Sequence, residues 1–156
     1  MPIEASGATV EHPAGWMLLP ASGSPPVVMF NLCDPAMTDG CLVRGEMVLS
    51  APNPEVPEAS LEARLASAKA NPQLQPGSAE IQSGRYGAVE TFWQGPHSSH
   101  SSKIVKRGSM QIQTPAGWYD CMLTADPALF ETQVGQWRRF CASLDATAAT
   151  DTNTHG

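Results

Sequence analysis

The chain reads as an α+β domain in which a curled, mainly antiparallel sheet carries a C-terminal helix on one face. Three observations predict this. Residues 84–95, 103–114 and 118–124 alternate in character like strands. Phe130, Val134, Trp137, Cys141 and Leu144 then recur at spacings of four and three, which puts them on one helical face that needs a sheet to lie on. Finally, 156 residues with 42% apolar content suffice for one core, while 27 prolines and glycines imply many turns and argue against a helical bundle.

Taken in order, residues 1–7 read as a flexible arm, residues 8–144 as a single domain and residues 145–156 as a disordered tail. Residues 8–16 form a short extended segment broken by Pro13. It ends in Pro-Ala-Gly-Trp, a tetrapeptide that recurs at 115–118, each time before a strand-like run. We read it as a turn device used twice, with tryptophan capping the core edge. Residues 27–33 are a strand, 34–40 its turn with Asp39-Gly40, and 41–49 the returning strand, with Cys41, Val43, Met47 and Leu49 toward the core. A helix over 58–70 has a thin stripe of Leu61, Leu65 and Ala68, which predicts a place at the sheet's margin. Residues 78–82 lead into Gly84-Arg85-Tyr86-Gly87, Gly108 marks a bulge, and Asp126-Pro127 opens the last helix as cap and first-turn proline.

Charge and motif narrow the chemistry. The net charge is -6, with eight acids against three bases over residues 1–79. Lys103, Lys106 and Arg107 make only a small basic cluster, so no nucleic-acid footprint is expected. His97 and His100 lack further ligands nearby, and neither a metal nor a cofactor is implied. No phosphate-loop or nucleophile-elbow pattern occurs. Asp120, Glu90 and Glu46, or Cys121 with a histidine, are the groups a small hydrolase-like enzyme would use. Cys33, Cys41, Cys121 and Cys141 are widely spread and read as reduced, small apolar residues, Cys33 and Cys41 pairing only if the compartment were oxidising. With no basic and apolar leader at the N-terminus and no run long enough to span a bilayer, a cytoplasmic location is expected.

Binding is the better reading. Trp93, Arg107, Gln111, Gln113 and Tyr119 are expected to share a sheet face that the terminal helix leaves uncovered, where aromatic and amide groups can bury a partner and still satisfy polar atoms. The alternative for these side chains is a second core closed against residues 58–70. A structural or membrane-surface accessory role is a further alternative for the whole chain.

The order of a short strand into Pro13-Ala14-Gly15-Trp16, a hairpin, a helix near Leu61, the Gly84-Arg85-Tyr86-Gly87-Ala88-Val89 run and a helix ending in Phe140-Cys141-Ala142-Ser143-Leu144 resembles the small domains of the PsbP-like fold, and so implies an αβα sandwich. It is most similar to the bacterial DcrB-like group, over roughly residues 8–144. One branch of that group consists of cytoplasmic, dimeric chaperones whose sheets cradle apolar segments of type VI secretion effectors. The resemblance therefore implies a non-enzymatic protein-binding module, possible as a homodimer, with Trp93, Gln111 and Gln113 in the cradle.

Overall fold

A computed structural model describes residues 8–19, 27–34, 40, 43–53, 55, 58–75, 79–97 and 102–146. Its strands are β1 (Met17–Leu18), β2 (Val27–Cys33), β3 (Val43–Ser50), β4 (Ala79–Ser83), β5 (Tyr86–Pro96), β6 (Ile104–Thr114) and β7 (Gly117–Ala125). The helices are α1 (Leu61–Ala70), between β3 and β4, and α2 (Pro127–Ala142), after β7. All seven strands join one sheet in the order β1-β2-β3-β7-β6-β5-β4, and every pairing is antiparallel. The α+β class and the helix on the sheet are as the sequence predicts. The sheet is uncurled, where a curled layer was expected, and among the described residues β1 and β4 form its two separate edges.

Turn chemistry sets the strand register. Gly84 has φ of +59°, which suits the first position of a two-residue hairpin turn between Ser83 and Tyr86. A Cβ there would also run into the Ala142 carbonyl oxygen. The repeated tetrapeptide does the same job twice. Gly15 and Gly117 both have positive φ, at 83° and 123°, and each hands the chain to a tryptophan. At the second copy Thr114 Oγ1 donates to the Gly117 carbonyl at 2.7 Å and accepts from Ala116 N–H at 3.2 Å.

The main core lies between the sheet and α2. Asp126 caps α2 by accepting from Leu129 N–H at 3.0 Å, and Pro127 occupies the first turn, as expected. Phe130, Trp137, Phe140 and Cys141 are buried against Phe30, Met47, Leu49, Met110, Ile112 and Leu123. Edge-to-face pairs, Phe30 with Phe140 and Phe92 with Phe130, lock the layers. Trp137 Nε1 is buried with no hydrogen-bond partner among the described residues.

Several expectations change at this layer. Cys121 and Cys141 form a disulfide that ties β7 to α2, and Cys33 is disulfide-bonded as well, so these cysteines are oxidised and not reduced fillers. The partner of Cys33 lies outside the described residues, as does Cys41. Gly108 does not mark a bulge: β6 stays in register with both neighbours there. The glycine instead makes room for an aromatic, since a Cβ would stand 2.8 Å from the Trp137 ring. The start of the tail is also built into the fold. Thr9 and Asp145 exchange backbone hydrogen bonds of 2.9 Å, Ala146 N–H donates to the Tyr86 hydroxyl at 3.0 Å, and Ala146 is buried. Residues 1–7 and 147–156 lie outside the described residues.

Candidate functional site on the open face

An antiparallel sheet sends alternate side chains to opposite faces, so the register assigns every strand residue a side. On the face away from α2 the partners line up in rows. One row runs Val27, Ser50, Asp120, Gln111, Val89, Glu80, and the next runs Met29, Val48, Met122, Ser109, Thr91. The third runs Asn31, Glu46, Thr124, Arg107, Trp93, and Leu74 adds an isolated bridge to Trp93.

Helix α1 lies over this face but covers little of it. Ser60 caps it by accepting from Ala63 N–H at 3.0 Å, which starts the helix after the sequence-based estimate of 58, and none of its ten residues is fully buried. Its anchors are few. Ala59 offers its carbonyl to Trp118 Nε1–H at 2.8 Å, the Arg64 guanidinium lies 4.4 Å above the Trp118 ring, and Arg64 donates to Gln111 Oε1 at 3.2 Å. Leu61 rests over Gly87. The thin stripe of Leu61, Leu65 and Ala68 predicts a place at the sheet's margin, but these contacts set α1 over the inner strands β5, β6 and β7, and between α1 and the sheet a groove of about 470 Å³ stays open.

Four of the five expected binding residues do lie on this face. Trp93 folds over Gly95, where a Cβ would stand 2.6 Å from its indole, and Arg107 from the same row sits 5.5 Å from the ring centroid. Arg107 Nε also donates to Thr124 Oγ1 at 3.2 Å. Gln111 is held by Arg64, and Gln113 stands exposed beside Trp118. Tyr119 does not belong with them. It pairs with Ile112, faces α2 and is 1% exposed, because the odd residues of β7 are the core residues. The sequence left the parity of β7 open, and the signal that settles it is Cys121, whose disulfide partner is on α2.

The carboxylates separate. Asp120, on the open face, accepts from the Ser109 hydroxyl at 3.0 Å, and burial pushes its carboxyl above the ordinary range against the opposing pull of that bond and of Arg64 and Arg107. Glu90 faces the other way and takes a bidentate pair from Arg138, at 2.9 and 3.0 Å. The two acids therefore cannot act on one substrate, and Cys121 has no free thiol to act as a nucleophile. Among the described residues no three His, Cys, Asp or Glu side chains converge as metal ligands. His97 is exposed, and His100 lies outside the described residues. No described helix is long and apolar enough to cross a membrane.

No protein-family model matches the chain, and no curated protein matches it significantly. Solved structures do. A crystal structure from Bacteroides thetaiotaomicron superposes with a TM-score of 0.61 at 13% identity, covering 89% of this chain, which spans only 44% of that one. LpqN of Mycobacterium tuberculosis, a protein involved in cell envelope biogenesis, superposes with a TM-score of 0.50 at 12% identity, covering 88% of this chain and 81% of its own. At such identities the likeness is one of fold alone. The cytoplasmic location expected from the N-terminus is corrected by these findings. LpqN belongs to cell-envelope biogenesis, and Cys121–Cys141 is a buried disulfide of the kind that persists in oxidising compartments.

Proposed function

We propose that this protein is a non-catalytic binding module of an oxidising, envelope-associated compartment, and that a protein partner seats on the α1-side face of its sheet. The observation that supports this is an asymmetry. One face is sealed by α2, with Phe30, Met47, Leu49, Met110, Ile112 and Leu123 at 1% exposure or less. The other is overlaid, among the described residues, by a ten-residue helix with no buried residue.

The rows suggest the kind of segment that fits. Met29, Val48 and Met122 make an apolar row about 10 Å across three strands. Ser50 and Asp120 flank it on one side, and Glu46, Thr124 and Arg107 on the other. An amphipathic segment, with an apolar stripe and polar margins, would satisfy both. This modifies the expectation of a purely apolar effector segment. The large exposed apolar residues Met17, Leu18, Val43 and Ile104 belong to strand ends and an edge, not to this row. The proposal holds equally for a monomer or a homodimer, and native mass spectrometry reads the copy number.

Site-specific photo-crosslinking tests the reading. A photoreactive residue at position 107 or 124 should capture the same partner in the native compartment. One at Glu131, exposed on α2, should not. Equal capture from 107 and 131, or none from either face position, would remove the proposal.

A further inference from the structure

The groove beneath α1 is an unusual gap for a helix lying on a sheet. The residues that α1 turns toward it are Ala63, Ser67 and Ala68, preceded by Ala59, where large apolar side chains would normally fill the space. Leu74 is the one large apolar side chain in the lining, and Arg64, Gln111, Thr91 and Asn71 complete it. Its volume of about 470 Å³ falls within the usual range for sites that hold small organic ligands, roughly 300–1,000 Å³.

Its polar groups are biased toward donation. Arg64 can only donate, so the Gln111 atom facing it at 3.2 Å must be the amide oxygen, and the amide NH2 is left for another acceptor. The same logic applies to Asn71. Its side-chain oxygen accepts from Gln73 N–H at 3.0 Å, which leaves its NH2 group unengaged. Thr91 is 6% exposed and its hydroxyl bonds to no described residue. The Arg64 guanidinium carries five N–H donors, is stacked on Trp118 and has no carboxylate within ion-pair distance among the described residues. The nearest acid by register is Asp120, one strand beyond Gln111, where it is engaged by Ser109 and does not line the groove.

We propose that this groove binds a small organic oxyanion, a carboxylate or phosphate ester. The guanidinium of Arg64 and the amide NH2 of Gln111 hold its oxygens, and Thr91 donates from the floor. A donor-rich cleft with one fixed positive charge favours an acceptor-rich ligand. This site is independent of the protein partner proposed above, and either can fail without the other.

The test is a titration of the full chain with citrate and, separately, glycerol 3-phosphate, read by NMR at Arg64 Nε and the Gln111 side-chain amide. The expected result is a saturable shift at both groups with at least one probe, and which probe binds distinguishes carboxylate from phosphate. Arg64→Gln should weaken binding about tenfold or more. Gln111→Glu should do the same with α1 in place, because the new carboxylate pairs internally with Arg64. No shift at either group below about 10 mM of either probe, or undiminished binding in Gln111→Glu, would overturn the assignment.

Discussion

The disulfide between β7 and α2 gives the account its most quantitative prediction. Cys121 and Cys141 are 20 residues apart in sequence. Closing a loop of that size removes roughly 11 cal/mol/K from the unfolded chain, or about 3 kcal/mol at 25 °C. Both cysteines are at most 1% exposed, so their sulfurs also contribute packing that alanine would lose. The double variant Cys121→Ala/Cys141→Ala should therefore lower stability by about 3 kcal/mol or more. With a urea slope of about 2 kcal/mol/M, the midpoint falls by about 1.5 M. The single variants should each lose nearly as much, because removing either sulfur already breaks the bond, and their effects should be far from additive. Chemical denaturation under non-reducing conditions measures all three. Two small additive losses, each below about 1 kcal/mol, would refute the claim that a covalent tie between sheet and helix constrains the chain.

Other expectations follow from single contacts. Gly108→Ala should cost about 1–3 kcal/mol, since the new methyl meets Trp137 at 2.8 Å and Phe130 at 3.1 Å, and thermal denaturation would show it. Asp120 has a raised pKa, chiefly from burial. Between its ordinary value of 3.8 and the raised value, the folded chain binds more protons than the unfolded one, so stability falls as pH rises through that window. Asp120→Asn should gain on the wild type above the window, and the gain should disappear well below pH 3.8, as urea midpoints at several pH values would reveal. Helix α1, with no fully buried residue, should exchange its amide hydrogens much faster than β6 or β7, and Trp118→Phe, which removes the bond to Ala59, should speed α1 about fivefold while leaving the sheet unchanged.

Much of the fold was legible because its signals are local. The spacing of Phe130, Trp137 and Cys141 marks a helical face, and Asp126-Pro127 marks its start, so α2 lies where the pattern puts it. The thin stripe of residues 58–70 predicts a helix at the sheet's margin; α1 has no fully buried residue, but it lies over the inner strands because Gly87, Gln111 and Trp118 receive it there. What stayed hidden depends on contacts across the chain. Gly108 looks like a bulge until Trp137, far along in sequence, is seen above it. Tyr119 and Trp118 are adjacent with equal aromatic character, and only the pairing of β7 with its neighbours decides which one is buried. The cysteines looked too sparse to pair, since nothing local brings Cys121 and Cys141 to a Cα separation of 6.0 Å. Arg64 and Gln111, 47 residues apart, carry no motif that announces their meeting.

The most direct test of the two-faced sheet is hydroxyl-radical footprinting of the isolated chain, read at its methionines by mass spectrometry. Met17, 42% exposed, serves as the reference for full reaction, while Met47 and Met110 lie under α2 at 0% and 1% exposure. Met29 and Met122 should oxidise readily, and Met47 and Met110 should stay protected until the protein unfolds. Protection of Met29 and Met122 to the same degree as Met47 would mean that both faces are closed within one chain, and the binding surface described above would not exist.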